Sequence, residues 1–384
     1  MKNLFFLILG MFTVSSSSFM IAGLLPKISQ TLGQPISIAS QGITAFSLTY
    51  LFSAPLFSIA FANKSSKRVL QLALIVFLLG NLITLSSGNF IPFLFGMILT
   101  GLGAGIFNPL SVSIAVQSRD QTAKGRVLSL IWGANSAGAV FGVPFGIYLS
   151  ALYNWKYSIG YILVLGLIAF TGFSFQEANT TFPIPSSLRD RLRLLTDRRI
   201  LSVIGITCLT SLASLGLYSF VAPIQAGAPH SLTASLFVWG LGGFVGSSLV
   251  GFIVDRTKKP RVVMAFILIG LMSTFITIPF TKDLPFLGLI SFFMWGAFGW
   301  ATPTPQQHVL FQMCKNQTAI LSALNSSAIG LGSSLGTAMG GLAIAHGFKE
   351  MNLPFLAAVL LVGAALCQLI LVNTPIEPIK ENYS

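Results

Sequence analysis

WGANSAGAVFGVPFGIYLSALYNW, residues 132–155, decides how the chain folds. Ala134, Gly138, Gly142 and Gly146 recur at every fourth position, so a helix sets them on a single stripe. No charge interrupts the chain from Val127 to Asn154, which exceeds the roughly 20 apolar residues that a bilayer crossing needs. In lipid, apolar burial gives helices no reason to associate, and a stripe of small residues lets a neighbouring backbone come close. Pro144 lies within the stripe and removes a backbone hydrogen bond, so the helix kinks or bends there. The stripe has a twin in Ala328, Gly332, Gly336 and Gly340, and Gly332 follows Gly138 by 194 positions in a chain of 384.

Composition extends this reading to the whole chain. Hydrophobic residues make up 54% and charged ones 8%, where soluble domains carry about a quarter charged. So little polar surface cannot cover a water-soluble globule of this size, and an all-α integral membrane protein is expected. Twelve apolar runs stand between charged or Pro/Gly-rich breaks, at 4–25, 40–62, 69–87, 91–116, 127–151, 157–175, 200–222, 232–254, 262–280, 285–313, 318–346 and 351–373. The first lacks a small-residue cleavage site and is too long for a signal peptide, so it is read as a retained helix. Cys208, Cys314 and Cys367 lie in or beside apolar runs without metal-ligand spacing, so neither a disulfide framework nor a metal site is expected.

The formal charge of +13 could suggest a nucleic-acid partner, but its distribution argues against one. With the N-terminus inside, Lys2, Lys64, Lys67, Arg68, Arg119, Lys124, Arg126, five arginines from Arg189 to Arg199, Arg256, Lys258, Lys259, Arg261, Lys315 and Lys380 are cytoplasmic. The outer loops then hold only Lys27, Lys156, Lys282 and Lys349. That asymmetry follows the positive-inside rule and predicts a multi-pass protein with both termini cytoplasmic. The longest connection divides the chain into a six-helix bundle at 1–175, a cytoplasmic linker at 176–199 and a second six-helix bundle at 200–384. A basic turn after the second helix of each half, at Asn63 and Asp255, repeats at an offset of 192 and supports internal duplication.

The glycine stripes, with Pro144, are read as packing seams that also move during gating. The turns carrying Asn63, Lys64 and Arg68, and Asp255, Arg256 and Arg261, set topology and are candidate inner-face latches, in which helix-end charges pair in one state only. Ser18, Tyr50, Asn108, Asn135, Trp300, Gln306, Gln307 and Asn325 are candidate linings of a polar pathway, although any one buried amide is more commonly interhelical glue. Trp132 and Trp295 are further candidate stacking faces for a planar solute. All nine carboxylates fall in loops or at helix ends, which leaves His308 as the titratable group nearest the pathway. Its closeness to Lys315 fits an interfacial histidine better than a proton relay. No HExxH, P-loop, GxSxG or paired-carboxylate arrangement supports an enzyme, and no cofactor is expected.

Three stretches together resemble the major facilitator superfamily and, within it, the drug/proton antiporter branch. FGVPFGIYLSALYNW (141–155) resembles the branch's fifth-helix motif, and GFIVDRTKKPR (251–261) its loop motif. WGAFGWATPTPQQ (295–307) and SALNSSAIGLGSSLGTAMGG (322–341) are similar to purine base and nucleoside efflux pumps and to arabinose-efflux-type permeases. The resemblance implies export of a small organic solute, such as a purine-like base or nucleoside, a sugar or a drug, across a bacterial inner membrane by alternating access. A monomer in the bilayer is expected, with protons as a candidate second partner. The chain departs from the family where relatives carry an acidic residue in the first helix (here Ser18), an arginine in the fourth (here Met97) and an aspartate in the first loop motif (here Asn63). Proton coupling through His308, a proton-independent facilitator or importer, and a non-transporting receptor or scaffold on the same fold remain the alternatives.

Overall fold

The structure is a computed structural model that describes residues 2–60, 65–117, 124–174, 194, 196–314 and 318–373. Among them there is no β-strand, and helices follow one another in twelve long rods. The first half contains α1 (Lys2–Leu32), α2 (Gln41–Ala60), α3 (Ser66–Ser86), α4 (Phe90–Gln117), α5 (Lys124–Ala137, Gly138–Gly142 and Val143–Leu152 in series) and α6 (Trp155–Ser174). The second contains α7 (Arg198–Tyr218), α8 (Leu232–Thr257), α9 (Pro260–Thr281), α10 (Pro285–Ala301 continued by Pro303–Met313), α11 (Thr318–Ala345) and α12 (Leu353–Asn373). Eleven are long and apolar enough to cross a membrane. The twelfth, α2, has 20 uncharged residues, about 30 Å of helix, which matches the hydrocarbon layer. An even number of crossings brings the start of α1 and the end of α12 to one side, here the terminal face; the opposite side is the far face.

Local chemistry sets several of the ends. Ser231 caps α8 by accepting the Ala234 N–H at 3.2 Å, and Asp197 caps α7 by accepting the Arg199 N–H at 2.8 Å. Lys258 closes α8 in the left-handed region at φ 53°, and Pro260 opens α9 two residues later, where its missing N–H costs nothing. The first helix runs seven residues beyond the expected end at 25, through Pro26 and Lys27. Pro26 sits in a helix that is otherwise continuous, and Lys27 reaches across to the Ser150 carbonyl of α5 and, at 3.3 Å, to its hydroxyl.

Packing repeats between the halves. In the first, α1 packs on α5 and α6, α2 on α4, and α3 on α4 and α6; in the second, α7 packs on α11 and α12, α8 on α10, and α9 on α10 and α12. The halves meet through α2 with α11 and α5 with α8, which are the same pair under exchange of the halves. Two pseudo-symmetric six-helix bundles are therefore built from a repeated unit. The boundary at 175/176 lies outside the described residues, and α7 begins at Arg198, within the stretch read as linker.

Candidate functional site

The stripe residues Gly138, Gly142 and Gly146 face α1. A Cβ on Gly138 would stand 2.5 Å from the Phe12 carbonyl oxygen, one on Gly142 1.9 Å from the Ser16 hydroxyl, and one on Gly146 1.9 Å from the Met20 sulfur. Their twins face α7 and the turn that follows it: a Cβ would stand 2.2 Å from the Cys208 carbonyl oxygen at Gly332, 2.2 Å from that of Leu212 at Gly336, and 2.4 Å from the Phe220 ring at Gly340. Both stripes thus line seams inside a half, and other residues of α5 face the second half. Pro144 follows a π-helical turn at Gly138–Gly142. Proline can neither donate to the carbonyl four residues back nor sit beside it without clash, and the wider turn relieves both. Ser15 donates to the Asn135 carbonyl at 2.6 Å and Ser16 to that of Gly138 at 3.2 Å, so α1 serves the carbonyls of the irregular stretch.

At the centre, Phe19 of α1 enters a ring cluster of the second half. Its centroid lies 5.7 Å from Tyr218, 5.9 Å from Trp239 and 5.5 Å from Trp300. The Tyr218 hydroxyl donates to the Phe19 carbonyl at 3.1 Å, a polar bond between the halves. The indole N–H groups of Trp239 and Trp300 are buried without a partner among the described residues. Trp300 belongs to the predicted set; Phe19, Tyr218 and Trp239 do not. Trp295 also joins the cluster, wholly buried with its indole donating to Ser214 at 3.1 Å, so it is core and offers no stacking face. Trp132 is 55% exposed and stands apart from these rings.

The remaining candidates divide. Asn108 donates to the Tyr50 hydroxyl at 3.0 Å, both half-buried, which unites those two in the first half. Ser18 is half-buried and donates to the Val14 carbonyl of its own helix at 2.8 Å. Asn135 and Gln307 are half-buried. Gln306 and Asn325 are almost wholly buried inside the second half, and Asn325 accepts from Thr207 at 2.8 Å as interhelical glue. Neither lines open space in this conformation. His308 is half-buried on the second segment of α10.

At the terminal face, Asn63 and Lys64 lie outside the described residues, and Arg68 is exposed. Arg261 donates to the Leu371 carbonyl at the end of α12, while its own carbonyl accepts from Gln368 at 2.8 Å. Those bonds lie within one half. Asp255 and Arg256 are exposed and form no ion pair between them among the described residues.

The seam between the halves is closed from the far face to mid-depth. A Cβ on Gly341 of α11 would stand 2.8 Å from the Ser40 hydroxyl, and one on Gly330 would stand 3.4 Å from the Leu51 Cβ of α2. On the other side of the molecule, the Phe141 and Phe237 rings lie 6.0 Å apart and a Cβ on Gly240 would stand 2.8 Å from the Val140 Cα. Toward the terminal face the α5–α8 seam is looser among the described residues, where Gly133 of α5 and Gly251 of α8 have nothing within 4 Å of a Cβ. Among the described residues, no Asp, Glu, Lys or Arg lies in the middle turns of any helix. The interior therefore offers ring faces, amides and hydroxyls, and no counter-ion for a buried charge.

The fold is shared with solved transporters. The nucleoside transporter NupG, in a mutant form, superposes with a TM-score of 0.81 over 97% of this chain and 100% of its own at 12% identity. A D-xylose–proton symporter superposes with a TM-score of 0.75 over 96% of each chain at 14% identity. In sequence, the inner membrane transport protein YdhP of Escherichia coli (strain K12) is 26% identical over 94% of this chain and 93% of its own. The family model of the Major Facilitator Superfamily matches residues 7–337. Twelve helices in two matching bundles and this match over most of its length lead to one conclusion: the chain belongs to the Major Facilitator Superfamily of membrane transporters.

Proposed function

We propose that this transporter exports a small, uncharged organic solute by alternating access, with its terminal face in the cytoplasm. The observation that carries the reading is the seam between α5 and α8, packed from the far face to mid-depth and loose beyond it, which suits one end of a two-state cycle. The excess of Lys and Arg in the terminal-face connections supports the orientation. Purine-like, nucleoside, sugar and drug-like solutes all suit an interior of rings, amides and hydroxyls. The test is counterflow of radiolabelled inosine, adenine and D-xylose into liposomes holding the purified protein. Saturable flux of at least one is expected. Flux of none above empty liposomes would contradict the reading and favour a receptor or scaffold.

Coupling is a separate matter, because Ser18 cannot titrate where relatives place a carboxylate. His308 sits toward the terminal face, away from the ring cluster. Accumulation driven by an imposed pH gradient is therefore expected to survive His308→Gln unchanged, and its loss would make His308 the proton carrier. Downhill flux without accumulation in the parent protein would favour the second reading, a proton-independent facilitator.

A further inference from the structure

His230 lies in the far-face connection between α7 and α8, outside the membrane-spanning segments, and both of its ring nitrogens are buried without a partner among the described residues. The ring packs edge-on to Phe292 of α10, centroids 6.4 Å apart. Gly288 makes room for it, since a Cβ there would stand 2.5 Å from the imidazole Cε1. Gln225 donates to the His230 carbonyl at 3.3 Å, and its own side-chain oxygen is also buried without a partner among the described residues. A neutral imidazole carries one N–H and an imidazolium two, and the described residues offer neither an acceptor here.

The charged groups around it are few. Asp283, on the turn between α9 and α10, pairs with Lys282 at 3.1 Å, and Lys282 also donates to the Ala226 carbonyl at 3.3 Å. Lys349 and Glu350 lie at the 3₁₀ turn that packs on the short helix Val221–Ile224. That helix also touches α1 of the first half, so the connection bearing His230 is part of what closes the far face.

We propose that His230 is a proton-binding site that takes up its proton when the connection at 225–231 leaves the turn between α9 and α10, so that protons arriving at the far face hold it open. The inference rests on the alternating-access reading. Burial lowers the affinity of the packed ring for a proton, and Asp283 raises it only in part. The sign follows. A histidine whose proton affinity is depressed in the packed state stabilises that state above its ordinary value of about 6.5, and the stabilisation is lost as the pH falls through it. Such a site would tie the protein's cycle to protons without any carboxylate inside the membrane.

Spin labels at Tyr153→Cys and Phe286→Cys, both exposed at the far face on opposite halves, report its opening in a background lacking Cys208, Cys314 and Cys367. The distance between them is expected to lengthen as the pH falls from 8 to 5 in lipid nanodiscs, and to stay at its short value in His230→Gln. Asp283→Asn removes the carboxylate that eases charge onto the packed ring, so it is expected to enlarge the acid response. A distance independent of pH in the parent, or the same response in His230→Gln, would overturn the proposal. Solute counterflow distinguishes the two failures: if it persists, alternating access stands and only the role of His230 falls.

Discussion

A single methyl group separates two kinds of close approach in this molecule. On Gly336 it would press on the Leu212 carbonyl oxygen at 2.2 Å and the Gly216 Cα at 2.8 Å, backbone that cannot yield without moving α7. On Gly142 it would meet the Ser16 hydroxyl, a side chain that can rotate, though it would give up its bond to Gly138. Gly336→Ala is expected to cost about 1–3 kcal/mol, the usual range for overpacking, and Gly142→Ala less. Gly133→Ala, in open space within a helix, should hold stability or raise it by up to about 1 kcal/mol. Melting temperatures in detergent check the order, and equal losses at Gly133 and Gly336 would contradict it. The stripes themselves were legible in the sequence, because spacing alone puts small residues on one helix face. Which helix they face was not, since nothing local distinguishes α1 from any other neighbour. The ring cluster was hidden for the same reason: Phe19 is one of 33 phenylalanines, and only the closed seam brings it to Tyr218 and Trp239.

At the scale of the element, α5 shows what a proline does to a membrane helix whose neighbours can respond. Pro144 announced an irregularity in the sequence, but its form, a π-helical turn served by Ser15 and Ser16, depends on residues more than a hundred positions away. In Pro144→Ala the new N–H could donate to the Val140 carbonyl, giving the turn an ordinary α-helical alternative. Melting temperature is expected to hold or rise, while counterflow falls as α5 straightens against α8. Unaltered counterflow would mean that the turn takes no part in the cycle. In the same way, 285–313 is one apolar run in the sequence, whereas α10 is divided at Thr302, where Pro303 and Pro305 follow in close order. At Arg261, a candidate latch residue, the guanidinium donates to the Leu371 carbonyl near the end of α12, a partner that the sequence of the turn alone does not reveal.

Over the whole molecule, the offset between the glycine stripes carried the architecture. A repeat of half the chain length predicts two bundles related by symmetry, and the exchange-related pairs α2 with α11 and α5 with α8 are its consequence in packing. The sequence could not disclose the conformation, because in the proposed cycle one set of residues serves both ends. The proposed cycle requires the halves to part at the far face to move solute. Leu51→Cys with Gly330→Cys tests it, since a Cβ at 330 would stand 3.4 Å from that of residue 51, close to the spacing a disulfide needs. In a background without the native cysteines, oxidation should join α2 to α11 across the seam. Counterflow of whichever solute gives the largest signal should then stop, and return on reduction. Full counterflow through protein that is quantitatively cross-linked would contradict the account.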